Sequence, residues 1–229
     1  TGKPVLGVIP YIEDLGIDEE DSVSLEDKQS LPAAGDLQIA VIRLPKISNF
    51  TDFDSLAEEK DVSLYYVSDT GSLGQPDLII LPGSKNTTGD LQWLRQSGVA
   101  AAIKERYRNG TPLIGICGGY QMLGTAIYDP LHTETDCDSI EGLGRLPVET
   151  TFAAAKATYQ GTAQWQALPF LEATLTAPSL KGYEIHMGQT TVADRELSQL
   201  IVTSRSSQPC ALKAGTARKD GQAFGTYVH

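Results

Sequence analysis

The stretch that most restricts how this chain can fold is Thr111-Pro-Leu-Ile-Gly-Ile-Cys117-Gly-Gly-Tyr-Gln121-Met-Leu-Gly124. Leu113–Ile116 is a short apolar run of the kind that forms a buried strand, and Tyr120–Leu123 reads as the first turn of a helix. Only Cys117 and Gly118-Gly119 lie between them. A chain passing from strand to helix in so few residues needs glycine where side chains would collide. The G-x-C-x-G form from Gly115 to Gly119 therefore predicts a nucleophile elbow, with the cysteine held in a strained conformation and its sulfur facing a cleft. The helix start places backbone N–H groups beside that sulfur, where they favour a thiolate and can hold an oxyanion. The competing reading is a buried structural cysteine at a strand end; the flanking glycines favour the nucleophile.

Upstream of the elbow, strands at Gln38–Leu44, Ser63–Val67 and Leu78–Leu81 alternate with helical segments. Leu91, Leu94, Val99, Ile103 and Tyr107 recur at near-helical spacing across Gly89–Arg108, with a break at Ser97-Gly98 and a stop at Asn109-Gly110. This alternation predicts an α/β fold on a mostly parallel sheet. The active site is then expected at the carboxyl ends of the strands, where Pro45–Asp54, Pro82–Thr88 and the elbow fall. The last third changes texture. Leu146–Phe152, Lys181–Thr190, Leu200–Thr203, Cys210–Ala214 and Gln222–His229 are short strand candidates, expected to add antiparallel strands to the sheet. Asp129–Glu141 is polar and reads as a mobile surface loop. At the other end, Lys3–Tyr11 reads as a strand, Ile17–Asp27 as an acidic helix-capable stretch and Leu31–Gly35 as a linker. Residues 1–35 are thus expected to be the tail of a preceding domain and 36–229 a domain of their own. With no initial Met and a strand-like run at its end, the sequence reads as part of a longer polypeptide.

Composition narrows the function classes. A net charge of −11 argues against nucleic acid or an anionic membrane surface as the partner. No apolar run approaches the ~18–20 residues that span a bilayer. The three cysteines are odd in number and lack metal-ligand spacing, which fits a reduced, cytoplasmic setting and no metal site.

A cysteine nucleophile needs a base, and the chain has three histidines. His132 reads as a solvated loop residue. In Gly182-Tyr-Glu-Ile-His-Met-Gly188, strand alternation puts Glu184 and His186 on one face, either as a polar site wall or as an internally satisfied pair. His229 ends a strand-like run directed at the edge where the elbow should lie, and is the best-placed partner for Cys117. The turn at Leu81-Pro-Gly83-Ser84-Lys-Asn-Thr87 offers the N–H groups of Gly83 and Ser84 as oxyanion donors alongside Gly118. Its spacing fails the G-x-x-x-x-G-K-[ST] pattern, so a nucleotide loop is not expected there. Ser48–Asp54 interleaves polar and aromatic residues and could be a cleft wall, a docking surface or a capped helix start.

Taken together, these stretches resemble a known family. Gly115-Ile-Cys117-Gly-Gly-Tyr-Gln121 is similar to the G-x-C-x-G-x-Q elbow of class I, triad-type glutamine amidotransferases. Lys46–Asp54, Leu81–Thr87, Glu141–Gly144 with Leu146–Thr150, Gly182–Gly188 and Gly225–His229 resemble the CobB/CobQ type, in particular its corrin-amidating branch. The resemblance implies a flavodoxin-like class I amidotransferase fold. It also implies a glutaminase that passes ammonia to an amino-terminal synthetase domain, where ATP and Mg²⁺ activate carboxylates of a corrin substrate. No cofactor is implied for residues 36–229 themselves. By the resemblance, Cys117 is the nucleophile, His229 the general base, Gly83 and Gly118 the oxyanion positions, and Gln121 and Ser84 hold glutamine. Triad enzymes usually carry an orienting glutamate two residues past the histidine, a position outside this sequence; Glu184, with His186 beside it, is the substitute the resemblance leaves. Related amidases of a corrin diamide or a cell-wall precursor, a non-catalytic docking module of the same fold, and another cysteine hydrolase remain alternatives.

Overall fold

The computed structural model describes Gly7, residues 37–193 and residues 198–229. The strand expected at Lys3–Tyr11, the helix at Ile17–Asp27 and the linker at Leu31–Gly35 lie outside the described residues. In chain order the elements are β1 (Leu37–Ile42), β2 (Ile47–Ser48), a 3₁₀ turn (Phe50–Phe53), α1 (Asp54–Ala57), β3 (Val62–Val67), β4 (Leu78–Leu81), β5 (Gly83–Ser84), α2 (Thr87–Gln96) and α3 (Val99–Arg108). There follow β6 (Leu113–Ile116), α4 (Gly118–Leu123), β7 (Ala126–Tyr128), β8 (Ser139–Glu141), β9 (Val148–Phe170), β10 (Ala173–Val192), β11 (Ser198–Arg205), β12 (Gln208–Ala217) and β13 (Ala223–Thr226).

The main sheet runs in the order β3-β1-β4-β6-β13-β12-β11-β9-β7-β8, with β10 on the free edge of β9. From β3 to β13 all neighbours are parallel; from β13 through β12 and β11 to β9 they are antiparallel. The α/β sheet with carboxyl-terminal antiparallel additions is therefore present as expected. β4 is apolar at every position and buried throughout, as a central parallel strand covered on both faces must be. The residues at helical spacing, Leu91, Leu94, Val99, Ile103 and Tyr107, are all buried against one sheet face. Their helix is split where expected: Gly98 has φ +82, a left-handed residue that ends α2 and starts α3.

Two expectations are corrected. The short strands at Leu146–Phe152 and Lys181–Thr190 are parts of one long ribbon, paired from Val148↔Val192 to Phe170↔Ala173. Ala153-Ala-Ala-Lys-Ala157 has little strand propensity and is largely exposed; the ribbon is anchored on either side of it, where β7 pairs with Glu149–Thr151 and β11 with Gly161–Gln164 while β10 follows the other edge. Pairing at its flanks overrides local preference. Asp129–Glu141 lies mostly at the surface as expected, but it is hydrogen-bonded at its start and ends in a strand. Asp129 is fully buried, and its carboxylate accepts from the N–H groups of Thr133, Glu134 and Thr135 and the Thr133 hydroxyl, while β8 pairs with β7.

Candidate active site

Cys117 sits between β6 and α4 at φ 52, ψ −109, a conformation that strains a non-glycine residue and is held by what surrounds it. Its N–H donates to Thr226 O at 2.8 Å, and its carbonyl accepts the Gln121 N–H at 3.1 Å to open α4. Both flanking glycines are required by close approach. A Cβ on Gly119 would overlap the Leu81 carbonyl, and one on Gly115 would lie 2.7 Å from Gly119 O and Tyr120 N. Gly118 begins α4, so its N–H has no intrahelical acceptor. Cys117 is 8% exposed and lies on the wall of a cavity of about 240 Å³, with Sγ 3.4 Å from the Ile185 carbonyl, to which it donates.

β13 runs parallel to β6, so the chain emerging from Thr226 passes the elbow and delivers His229 beside it. The backbone of His229 exchanges two hydrogen bonds with Tyr183 of β10, N–H to O at 3.0 Å and O from N–H at 3.2 Å. The Tyr183 ring stacks on the imidazole at 5.0 Å. Nδ1 lies 2.6 Å from Asp52 Oδ2, with the histidine side chain 0% and the aspartate 12% exposed. Nε2 is buried and has no hydrogen-bond partner among the described residues. Burial would pull the His229 pKa down, but the Asp52 carboxylate and the nearby Cys117 sulfur outweigh it, and the pKa rises to about 9.

Gly83 and Ser84 form β5, which pairs with Ile47–Ser48 of β2. Gly83 faces the histidine: a Cβ there would lie 3.6 Å from His229 Cε1. Gly118 packs directly against Ser84, where a Cβ would lie 3.1 Å from the Ser84 N and Cβ. The Ser84 hydroxyl donates to the buried Asp90 carboxylate at 2.6 Å, and Asp90 also accepts the Lys46 N–H. Burial pushes the Asp90 pKa up against these hydrogen bonds. Asp90 thereby ties β2 to β5.

The structure disposes the other sequence-based candidates differently. Gln121 lines the cavity, yet both its N–H groups are used within the protein, to Met187 O at 2.9 Å and Tyr227 Oη at 3.1 Å, while Oε1 accepts from Thr87. It braces the wall instead of offering donors. Glu184 does not orient His229. Its buried carboxylate takes a two-point contact from Arg205, at 2.7 and 2.8 Å, and lies 3.7 Å from His186 Nε2. Burial raises the Glu184 pKa, and the nearby His186 ring and the Arg205 hydrogen bonds more than offset this, leaving it lowered. His186 lines the cavity, stacks on Tyr227 at 3.8 Å and donates from Nδ1 to Gly188 O. His132 is exposed and pairs with Asp138.

Two site residues escaped sequence reasoning. Asp52 lay inside the polar-aromatic stretch flagged as a cleft wall, and nothing local linked it to a histidine 177 residues away. Glu134 lay in the loop read as mobile, but it lines the cavity and accepts the Thr88 N–H at 3.2 Å. Its pKa is raised, chiefly by burial.

The chain is similar to known proteins along its whole length. Residues 38–229 match the model of the CobB/CobQ-like glutamine amidotransferase domain. The whole chain is 52% identical to a cobyric acid synthase of Moorella thermoacetica, 47% to one of Yersinia enterocolitica and 44% to one of Desulforamulus reducens. It spans only 44–45% of the length of these relatives. In fold it is similar to PurLQS from Thermotoga maritima, with a TM-score of 0.62 at 19% identity over 85% of this chain and 87% of that one. A glutamine amidotransferase from the same organism gives 0.54 at 17% identity, covering 84% and 75%. On the match over residues 38–229 and the identity along the whole chain, the protein belongs to the family of CobB/CobQ-like glutamine amidotransferase domains.

Proposed function

We propose that this chain is the glutamine-hydrolysing part of a cobyric acid synthase, releasing ammonia through a Cys117 thioester. The observation that carries the reading is the strained Cys117 at the strand–helix elbow with His229 buried beside it, its Nε2 unpaired. Cys117 as thiolate attacks the carboxamide carbon of glutamine, and the backbone N–H groups of Gly118 and Ser84 hold the oxyanion that forms; the β2–β5 ladder turns the Gly83 N–H toward Ser48 and the Ser84 N–H away from β2. Protonated His229 gives its proton to the nitrogen as the C–N bond breaks, so ammonia leaves and a γ-glutamyl thioester remains. His229 then takes a proton from water, whose oxygen attacks the thioester; the thiolate departs and glutamate forms. The contact between Sγ and Ile185 O belongs to the unliganded state, in which catalytic hydrogen bonds are commonly long or misdirected.

Amide formation on a corrin carboxylate is, in this reading, the work of an amino-terminal synthetase domain of the same polypeptide, using ATP and Mg²⁺ in the cytoplasm. Two measurements on the full-length polypeptide test the proposal. A γ-electrophilic glutamine analogue should add one adduct, at Cys117. Cys117→Ala should abolish glutamine-supported amidation while leaving ammonia-supported amidation intact. Adducts at Cys137 or Cys210 instead, or glutamine-supported turnover in the Cys117→Ala protein, would refute it.

A further inference from the structure

The histidine of this site is oriented, but not by a residue near it in sequence. We propose, resting on the glutaminase reading above, that Asp52 is the positioning residue that orients His229 and completes the catalytic set. Four observations converge. The carboxylate is 2.6 Å from Nδ1 and both side chains are almost wholly out of solvent. A carboxylate only accepts, so Nδ1 carries the proton and the lone pair or transferable proton is left on Nε2, the nitrogen that has no other partner. Asp52 is itself fixed. Its 3₁₀ turn is pinned by the buried Phe50 and Phe53, and its N–H donates to Asn49 O at 3.0 Å. Asn49, left-handed at φ 55, donates its side-chain N–H to the Tyr183 hydroxyl, the ring that stacks on His229.

The fourth observation concerns the rival. Glu184 is the other buried carboxylate near the chain end, and Arg205 occupies both its oxygens. Asp52 is also placed to act with the oxyanion strand. It follows β2, and β2 pairs with β5, so one two-stranded element leads into the acid that orients the base and carries, at Ser84, a backbone donor for the oxyanion. A shift of that small sheet would disable both functions together.

The test uses the full-length polypeptide and compares wild type with Asp52→Asn, Asp52→Glu and Cys117→Ala. Asp52→Asn keeps the shape but cannot accept from Nδ1–H with the same strength. It is expected to lower kcat for glutamine hydrolysis by about 10²–10⁴-fold with KM changed by less than about threefold. It should also move the histidine-dependent limb of the pH–rate profile to lower pH. The groups facing the imidazole are Asp52, the Cys117 sulfur and the Tyr183 phenol, and removing the carboxylate takes away the strongest influence favouring the protonated ring. Asp52→Glu should restore at least tenfold of the lost rate. Asp52→Asn turnover within about twofold of wild type, or a loss that tracks melting temperature with an unmoved pH profile and no rescue by glutamate, would overturn the assignment. A Cys117→Ala protein that still hydrolyses glutamine would instead overturn the glutaminase reading itself.

Discussion

His229 is the residue at which chemistry and stability meet. Its pKa in the folded protein, about 9, lies above the ordinary value of 6.5. A group that binds its proton more tightly when folded stabilises the fold fully below the unfolded value, and that contribution fades as pH rises through the folded one. The window here therefore runs from about pH 6.5 to about 9, with Tyr183, whose pKa burial raises, staying neutral across it. Denaturant midpoints measured across this window should fall more steeply for wild type than for His229→Gln. Glu184 makes a different case. Removing it strands a partly buried Arg205, so Glu184→Ala should cost about 3 kcal/mol in unfolding free energy. Its pH–rate profile should keep the wild-type shape, because Glu184 does not touch the imidazole. At this scale the sequence showed which residues could react but not which acid meets which base. Glu184 was the carboxylate expected at the histidine, and Asp52 became a candidate only when the fold set it against His229 and Arg205 was seen to occupy Glu184.

Among the elements, the elbow was the most legible because its constraint is local. A strand, a cysteine, two glycines and a helix start allow few geometries, and the glycines report crowding directly. Gly119 touches the Leu81 backbone and Gly225 the Tyr120 ring, so β4, β6, β13 and α4 approach as closely as backbones can. Gly119→Ala should therefore destabilise the protein by about 3 kcal/mol or more, since backbone has to move. Gly110→Ala is the comparison: its Cβ meets nothing within 4 Å, but φ is +101, so about 1–2 kcal/mol of conformational strain is expected. Thermal melts of the two variants separate crowding from strain. The β9–β10 ribbon was the least legible element. Its alanines and glutamines carry no two-residue alternation, and it exists because β7 and β11 meet one edge of β9 while β10 meets the other.

Across the whole molecule, the sheet order assembles the site. β13 inserts beside β6 after six intervening strands, β7 to β12, which brings His229 next to the elbow. β2 and β5 form a separate two-stranded sheet over the carboxyl ends of the parallel strands, and Asp90 clamps the two together. The loop after β7, tied down by Asp129, contributes Glu134 to the cavity wall. The amino-acid sequence by itself determined the alternating α/β pattern, the elbow with Cys117 and the candidacy of His229, because periodicity and glycine crowding act between neighbours in the chain. Tertiary structure alone decided that Asp52 meets His229, that Glu184 is taken by Arg205 and that Gln121 is a brace. Those pairings join residues far apart in sequence, and hydrogen bonds in a buried site are settled by which groups the strand order brings within 3 Å.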